Sequence, residues 1–295
     1  IASQIADAYI REGHEVHILD NLSTGFEKNI NLKAHFIMSD ISSPAILDIF
    51  KKENFDVVNH HAAQIDVRKS VSDPIFDAST NILGTINLLQ ACIKTGVKKF
   101  MFASTGGAVY GEQEYFPADE KHPTNPVSPY GITKLAIEKY LFFYKNEYGL
   151  NHTILRYANV YGPRQNPFGE AGVVAIFTSK LLKNENPIIN GDGKQTRDYV
   201  FVEDVVRANV IKLSSNSSDI YNVGTNVETS VNELFAKLNE IAGGKAIEKH
   251  GPSPKGEQAR SVITSDKLYK EFQWKPSIKI DEGLRKTFES FKSIL

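Results

Sequence analysis

Short apolar runs alternate with longer amphipathic stretches through the first half of the chain. Five of these runs are nearly continuous in apolar character, which is typical of strands buried on both faces of a parallel sheet. They are EVHILD, AHFIM, FDVVNHH, KKFMFAS and HTILRY. The intervening stretches repeat apolar residues at helical spacing, most clearly over residues 74–95 and 128–148. Alternating strands and helices predict an α/β fold, a doubly wound parallel sheet covered by helices on both faces.

The pattern changes after about residue 158. Glycine and proline recur between shorter apolar runs, as in YGPRQNPFG, NGDGKQ and HGPSPKG, and such residues mark turns and loops. We therefore expect a main domain over residues 1–158 and a smaller, loop-rich C-terminal lobe over residues 159–295. A segment near 198–216 has the pattern of a strand and a helix, and we expect it to return to the main sheet.

The first residues already have helical periodicity, because IASQIADAYI places apolar side chains on one face. A helix that begins at Ile1 has no residues for its N-terminal cap. The glycine-rich turn that leads from the first strand to the first helix in dinucleotide-binding folds is also not in the sequence. We expect the first strand and this glycine loop to precede Ile1.

Charge and cysteine content narrow the function classes. Lysine and arginine total 34 against 35 aspartates and glutamates, which argues against the excess cations of a nucleic-acid surface. No apolar run approaches the length of about 18 residues that a membrane span requires. The single cysteine, Cys92, suits a reducing compartment. These features predict a cytoplasmic protein without a nucleic-acid or membrane partner.

Polar and small residues follow the predicted strands, where open parallel sheets bind their ligands. Asp20 and Asn21 end the first strand, and an acid there would bind an adenosine ribose and repel a 2′-phosphate, which favours NAD over NADP. His60 and His61 end the third strand. Because they have no cysteine or acidic partner at ligand spacing, we expect no metal site.

The stretch SPYGITK places Tyr130 and Lys134 four residues apart, after a Ser128–Pro129 pair suited to a helix start. The phenol and the ammonium then share one helical face. Because a free phenol has a pKa of about 10, a nearby cation would be needed for Tyr130 to act as a base near neutral pH. A hydroxyl at the end of the preceding strand, Ser104 or Thr105, would complete the site. A tyrosine and a lysine at this spacing are by themselves common surface neighbours.

Four segments together resemble the extended short-chain dehydrogenase/reductase superfamily, and within it the UDP-glucose 4-epimerases and related nucleotide-sugar enzymes. They are STGGAVYG, SPYGITK, LRYANVYGPRQ and GDGKQTRDYVFVEDV. The resemblance implies a Rossmann-like NAD-binding domain, a nucleotide-sugar-binding lobe, and an isomerase that epimerises a UDP-hexose at C4 with NAD. It implies that Tyr130 is the base, that Lys134 lowers the pKa of that base, and that Thr105 is the hydroxyl partner, with Ser104 left open.

The resemblance also implies two sets of binding residues. The cofactor-binding set is Asp20, Asn21, Asp40, Ile41, Ala62, Ala63, Gln64, Asn81, Tyr130, Lys134 and Tyr157. The substrate-binding set is Thr105, Tyr130, Asn159, Arg197, Tyr199, Glu257 and Ser261. Pro254 stands where the family usually has an arginine, three residues before Glu257, and Lys255 could replace that arginine as a point charge. Ser261 leaves room for a 2-acetamido group, so we expect N-acetylated UDP-hexosamines to be accepted as well.

Two alternatives stay open at this stage, a UDP-glucuronate 4-epimerase and, more remotely, a non-catalytic dinucleotide-sensing protein. A dehydratase is disfavoured because Gly106 and Gly107 stand where family dehydratases have an Asp–Glu pair. Family members pair the helices near 74–95 and 128–148 across a two-fold axis, so we expect a homodimer.

Overall fold

The structure is a computed structural model that describes residues 1–168, 172–215, 217–253 and 258–293. The helices are α1 (Ala2–Arg11), α2 (Ile46–Glu53), α3 (Val67–Ser72), α4 (Pro74–Ala78), α5 (Gly84–Thr95), α6 (Pro129–Tyr148), α7 (Val173–Leu182), α8 (Val202–Leu213), α9 (Val231–Ile241), α10 (Asp266–Phe272) and α11 (Ile280–Lys292). The strands are β1 (His17–Asp20), β2 (His35–Met38), β3 (Val57–His60), β4 (Lys99–Thr105), β5 (Asn151–Tyr157), β6 (Asn159–Tyr161), β7 (Ile188–Asn190), β8 (Thr196–Phe201), β9 (Asp219–Val223), β10 (Glu228–Ser230), β11 (Lys249–Gly251) and β12 (Arg260–Ser261).

The main sheet is parallel and has the strand order β3-β4-β5-β9. Strands β1 and β2 form a separate parallel pair, and no ladder in the described part of the chain joins this pair to β3. Strands β4 and β5 are buried almost throughout, as their continuous apolar runs predict. The predicted doubly wound α/β fold is confirmed.

Each face of the main sheet has its own apolar cluster, because successive side chains of a strand point to opposite faces. On one face, Phe100 and Phe102 of β4 pack with Ile137 and Leu141 of α6. The other face carries a cluster of Met101, Ala103, Leu155, Val205, Tyr221 and Trp274. Burying each large apolar side chain contributes about 1.5–3 kcal/mol. Strand β4 therefore lies in a fixed position between two packed layers.

Two short sheets lie beyond the main one. Strand β8 pairs with β10 and β12, and β6 also pairs with β8; strands β7 and β11 form the other, a parallel pair. A third apolar cluster, which includes Phe177, Phe201, Leu234 and Phe288, packs α7, α9 and α11 against β8. Of the segment near 198–216, helix α8 packs on the main sheet through Val205 and Ala208, whereas β8 joins the smaller sheet and β9 is the strand that pairs with β5. A short apolar run does not indicate which strand will be its neighbour.

The stretch predicted as one long helix over residues 74–95 is interrupted. It consists of α4, a π-helical turn at Ser79–Leu83, and α5. Such π turns are rare in proteins, and many of those that occur lie at functional sites. The turn contains Asn81, one of the residues predicted to bind the cofactor.

Candidate active site

The first turn of α6 positions the tyrosine. The Ser128 side chain accepts a hydrogen bond from the Gly131 amide at 3.2 Å, and Pro129 occupies the first helical position. The predicted cap is therefore confirmed. A Cβ atom at position 131 would lie 2.8 Å from the Ala108 carbonyl oxygen. Glycine at this position lets the loop that follows β4 approach α6 directly beside the half-buried Tyr130.

Lys134 lies one turn further along the same face and is buried. Its Nζ donates a hydrogen bond to the Ala103 carbonyl oxygen at 2.9 Å and lies 4.8 Å from the centre of the Phe102 ring. The distance from Nζ to the centre of the Tyr130 ring is 5.8 Å. Burial lowers the pKa of Lys134 to about 8, although the charges of Asp77 and Glu138 oppose that change. A weakly solvated cation at this distance stabilises a phenolate at Tyr130.

The two hydroxyls at the end of β4 have different surroundings. Ser104 is buried and donates a 2.6 Å hydrogen bond to Glu138 Oε1. Glu138 also forms a buried ion pair with Arg156, with an Nη2–Oε2 distance of 2.5 Å. The hydroxyl of Ser104 is thus occupied within a structural network, which favours Thr105 as the hydroxyl that faces substrate.

Thr105 points to the opposite face of β4 from Ser104. A Cβ atom at position 107 would lie 3.8 Å from Thr105 Oγ1 and 3.7 Å from Asn159 Oδ1. The threonine hydroxyl and the asparagine amide therefore flank the same glycine. Because glycine leaves that volume empty, a substrate group can lie between these two predicted substrate contacts.

The π turn forms a polar network with the loop after β3. Asn81 accepts a hydrogen bond from the Gln64 amide at 2.8 Å and donates one to the Gln64 carbonyl oxygen at 2.9 Å. Asp77 is fully buried and accepts hydrogen bonds from the side chains of Gln64, Asn81 and Thr133. This network links the predicted cofactor residues Gln64 and Asn81 to the helix of Tyr130.

Tyr157, at the end of β5, also lies in a network. Its hydroxyl accepts a hydrogen bond from Asn209 Nδ2 at 2.9 Å and lies 3.2 Å from His61 Nε2. Burial raises the pKa of Tyr157, so this phenol stays neutral. Ala62 and Ala63 follow His61 and are half-buried. Their small side chains allow a ligand to approach the backbone after β3.

The ends of β1 and β2 carry the residues predicted to bind the adenosine part of NAD. Asp20 Oδ1 accepts a hydrogen bond from the Leu22 amide at 2.7 Å. Asn21 Nδ2 donates a hydrogen bond to Asp40 Oδ2 at 2.6 Å. Hydrogen bonds from the Ser42 hydroxyl and amide hold the pKa of Asp40 below its usual value. Ile41 is buried beside this pair. The residues fit an adenosine ribose, since half-buried Asp20 and neighbouring amides supply the acceptors and donors that its hydroxyls require.

Four of the predicted substrate residues lie on the small sheet around β8. Asn159 pairs with Tyr199 across β6 and β8, and Ser261 pairs with Arg197 across β12 and β8. Asn159 is exposed, whereas Tyr199 and Ser261 are buried. Arg197 Nη1 donates to the Thr196 carbonyl oxygen at 2.8 Å. The remaining member of the set, Glu257, lies outside the described residues, as do Pro254 and Lys255.

Sequence reasoning missed several residues that support the site. Asp77 and Glu138 each lie four residues from a predicted site residue, Asn81 and Lys134 respectively, so helical spacing could have identified them. Asp198 was missed because only the fold brings it to its partners. It is buried between Arg197 and Tyr199 on β8, and its carboxylate accepts hydrogen bonds from residues 225, 226 and 263.

These features define a class of enzyme. A parallel α/β sheet with an acid at one strand end, and a tyrosine near a buried lysine on a helix that packs against the sheet, is suited to moving a proton and a hydride at an alcohol carbon. The chain belongs to the NAD dependent epimerase/dehydratase family, whose model matches residues 1–224.

Individual relatives match over nearly the whole chain. A putative UDP-glucose 4-epimerase of Methanocaldococcus jannaschii is 46% identical, covering 99% of this chain and 95% of the relative. The crystal structure of the Thermotoga maritima UDP-glucose 4-epimerase with UDP-glucose is 45% identical, with a TM-score of 0.97 over 99% of this chain and 95% of that one. The crystal structure of the Thermus thermophilus UDP-glucose 4-epimerase in complex with NAD is 40% identical and has a TM-score of 0.94. It covers 99% of this chain and 96% of that chain. The predicted family, enzyme class and NAD cofactor are confirmed.

Proposed function

We propose that the protein interconverts UDP-glucose and UDP-galactose by NAD-dependent epimerisation at C4, with Tyr130 as the base. The observation that carries this proposal is the buried ammonium of Lys134, 5.8 Å from the Tyr130 ring and held by the Ala103 carbonyl oxygen. The similarity to UDP-glucose 4-epimerases over 99% of the chain supports the substrate class.

Tyr130 takes the proton from the C4 hydroxyl of the hexose. The charge of Lys134 stabilises the Tyr130 phenolate that accepts this proton, and the Thr105 hydroxyl donates a hydrogen bond to the reacting oxygen. The neutral phenol gives the proton back to that oxygen at the end of the cycle. When bound, NAD⁺ supplies the hydride acceptor, and the same hydride returns to the opposite face of the sugar, so net redox change is zero. The sugar must rotate between the two transfers. Arg197 and Tyr199 therefore hold the nucleotide, while the hexose is held more loosely.

The residues that would hold NAD lie at both ends of the cleft. Asp20, Asn21 and Asp40 bind the adenosine ribose, and buried Ile41 lies beside the adenine. Ala62, Ala63, Gln64, Asn81 and Tyr157 line the pyrophosphate and nicotinamide side. Lys134 binds the nicotinamide ribose as well as lowering the pKa of Tyr130.

Replacement of Tyr130 by phenylalanine tests the assignment of the base. Tyr130→Phe should fold and retain NAD but lose about 10²–10⁴-fold in kcat, the contribution of general-base catalysis. The assay follows formation of UDP-glucose from UDP-galactose without added reductant. Tyr140→Phe is the matched control, because Tyr140 lies on the same helix and is exposed. If both variants keep comparable activity, the assignment of Tyr130 is wrong.

N-acetylated UDP-hexosamines are the proposed further substrates. The support is the small side chain of Ser261, which β12 places beside Arg197 on β8. We expect the unaltered enzyme to turn over UDP-N-acetylglucosamine. The Ser261→Tyr variant should lose this activity and keep its turnover of UDP-glucose. If the unaltered enzyme does not turn over the acetylated sugar, N-acetylated UDP-hexosamines are excluded as substrates. UDP-glucuronate in the same assay tests the alternative uronate substrate.

A homodimer is proposed through the helices near residues 74–95 and 128–148. Large apolar side chains are exposed on these helices, among them Ile75 at 79%, Phe142 at 64% and Leu83 at 62%. An isologous two-fold interface would cover such a surface on both copies. Light scattering coupled to size-exclusion chromatography should show a dimer that Phe142→Glu converts to a monomer. A monomeric unaltered protein would contradict the proposal.

The two-lobe division at residue 158 and a cytoplasmic location are also proposals. Separate apolar clusters on the two sides of that boundary support the division, and the buried free thiol of Cys92 fits a reducing compartment. Within the described ranges, no helix has the length and apolar character required to cross a membrane.

A further inference from the structure

A cluster of two histidines and a glutamate lies at the start of the β1–β2 pair. His17 and His35 are direct partners in the parallel ladder, so their side chains lie on the same face of the pair. Glu15 comes two residues before His17, and its carboxylate lies within 3.5 Å of both imidazole rings. The three residues form a single surface group although His35 is distant from the other two in sequence.

The distances within this group match those between the ligands of one metal ion. Glu15 Oε1 lies 3.4 Å from His17 Nε2 and 3.5 Å from His35 Nε2. A tetrahedral zinc ion with bonds of about 2.0–2.1 Å separates its ligand atoms by about 3.3–3.4 Å. One candidate ligand atom from each of the three residues lies within 4.8 Å of the other two. The two imidazole rings are stacked, with centroids 4.7 Å apart.

We propose that Glu15, His17 and His35 bind one Zn²⁺ ion. The glutamate oxygen and the two Nε2 atoms supply three ligands, and water completes the tetrahedron from the solvent side, where His35 is 63% and Glu15 74% exposed. Imidazole nitrogen and carboxylate oxygen form the His₂Glu donor set of several protein zinc sites.

The surroundings of His17 provide independent support. Its Nδ1 is buried and has no hydrogen-bond partner among the described residues. Glu53 Oε2 lies 3.7 Å from that atom. A histidine that binds a metal commonly donates its other ring N–H to a carboxylate, and a small movement of Glu53 would provide this contact. Phe55 packs edge-on against the same ring at 5.2 Å, which limits its rotation.

The position of the site predicts a structural effect. The cluster lies at the amino ends of β1 and β2, opposite to the strand ends that carry Asp20 and Asp40. A metal ion would cross-link the start of β1 to the start of β2. Zinc should therefore raise stability without being required for epimerisation, and the inference does not depend on the proposed function.

Thermal unfolding of the full chain, freed of metal with a chelator, provides the test. Added Zn²⁺ should raise the midpoint by about 2–4 °C, and titration calorimetry should give one equivalent. Co²⁺ in place of Zn²⁺ should produce the visible absorption of a tetrahedral site. His35→Ala and Glu15→Gln should lose all three responses and keep the metal-free midpoint, since both side chains are largely exposed.

His250→Ala is the matched control, because His250 and Glu248 form an exposed pair at 2.8 Å. This variant should respond to zinc like the unaltered protein, and His35→Ala should keep its epimerase activity. The proposal is overturned if zinc has no effect on the unaltered protein, or if the midpoint rises equally in His35→Ala.

Discussion

Replacement of each hydroxyl at the end of β4 separates a structural role from a catalytic one. Ser104→Ala removes a buried 2.6 Å hydrogen bond to an ionised carboxylate, and such bonds contribute about 1.5–3 kcal/mol to stability. The Glu138 carboxylate would keep both hydrogen bonds from Arg156, at 2.9 and 2.5 Å. We therefore expect the free energy of unfolding to fall by about 2 kcal/mol, with kcat/KM nearly unchanged.

Thr105→Ala should have the opposite effects. The Thr105 hydroxyl lies beside Gly107 and Asn159 rather than in the Ser104 network, so its removal should cost little stability. Loss of one hydrogen-bond donor to developing charge typically lowers the rate by about 10²–10³-fold. Thr105→Ser keeps a hydroxyl and should recover most of the activity.

Urea unfolding and steady-state epimerisation of UDP-galactose, measured on all three variants, test this assignment. The reasoning requires that stability and activity respond to different substitutions. If Ser104→Ala loses the activity while Thr105→Ala keeps it, the hydroxyl that assists catalysis is Ser104, and the network with Glu138 must open when substrate binds.

Three further substitutions test the electrostatics of the site. Lys134→Met removes the cation near the Tyr130 phenol, so kcat should fall and the pH–rate profile should shift to higher pH. Glu138→Gln leaves Arg156 buried without its carboxylate, and urea unfolding should show a loss of about 3–5 kcal/mol. Burial raises the pKa of the Asp198 carboxyl to about 6. The folded state thus binds this proton more tightly than the unfolded chain, and the resulting stability is complete below about pH 4 and lost as pH rises to about 6. Between these two pH values the free energy of unfolding of Asp198→Asn should decrease less than that of the unaltered protein. The same pH dependence in both proteins would show that Asp198 does not titrate in this range.

The sequence was sufficient to predict three of the four strands of the main sheet, β3, β4 and β5, but not β9. These strands are continuous apolar runs because they are buried on both faces, and the helices between them are amphipathic because only one of their faces is buried. The start of α6 was also predictable, because Ser128 and Pro129 have the chemistry of a cap and a first helical position. The shared face of Tyr130 and Lys134 follows from helical periodicity alone.

The remaining features depend on contacts between distant segments. Strands β6, β10 and β12 have two or three residues each, too few to show a period. The depressed pKa of Lys134 requires burial of its ammonium against the Phe102 ring, which no local pattern reveals. The pairing of His17 with His35 likewise appears only when two strands are brought into register. The functional roles of the site residues stay predictions until the substitutions are made.

Side-chain packing connects the loop after β2 to the helix of Tyr130. Ile41 follows β2, and Lys134 of α6 donates a hydrogen bond to the Ala103 carbonyl oxygen of β4. A Cβ atom at position 84 would lie 2.7 Å from Ile41 Cδ1, so glycine allows the π turn and α5 to approach the loop after β2. Asn81, on that turn, shares the Asp77 carboxylate with Thr133 of α6. Displacement of Ile41 would therefore reach the helix of Tyr130 through a chain of packed and hydrogen-bonded groups. Because close-packed groups tolerate little overlap, a side chain at position 84 would displace Ile41 or the π turn and so disturb this chain of contacts.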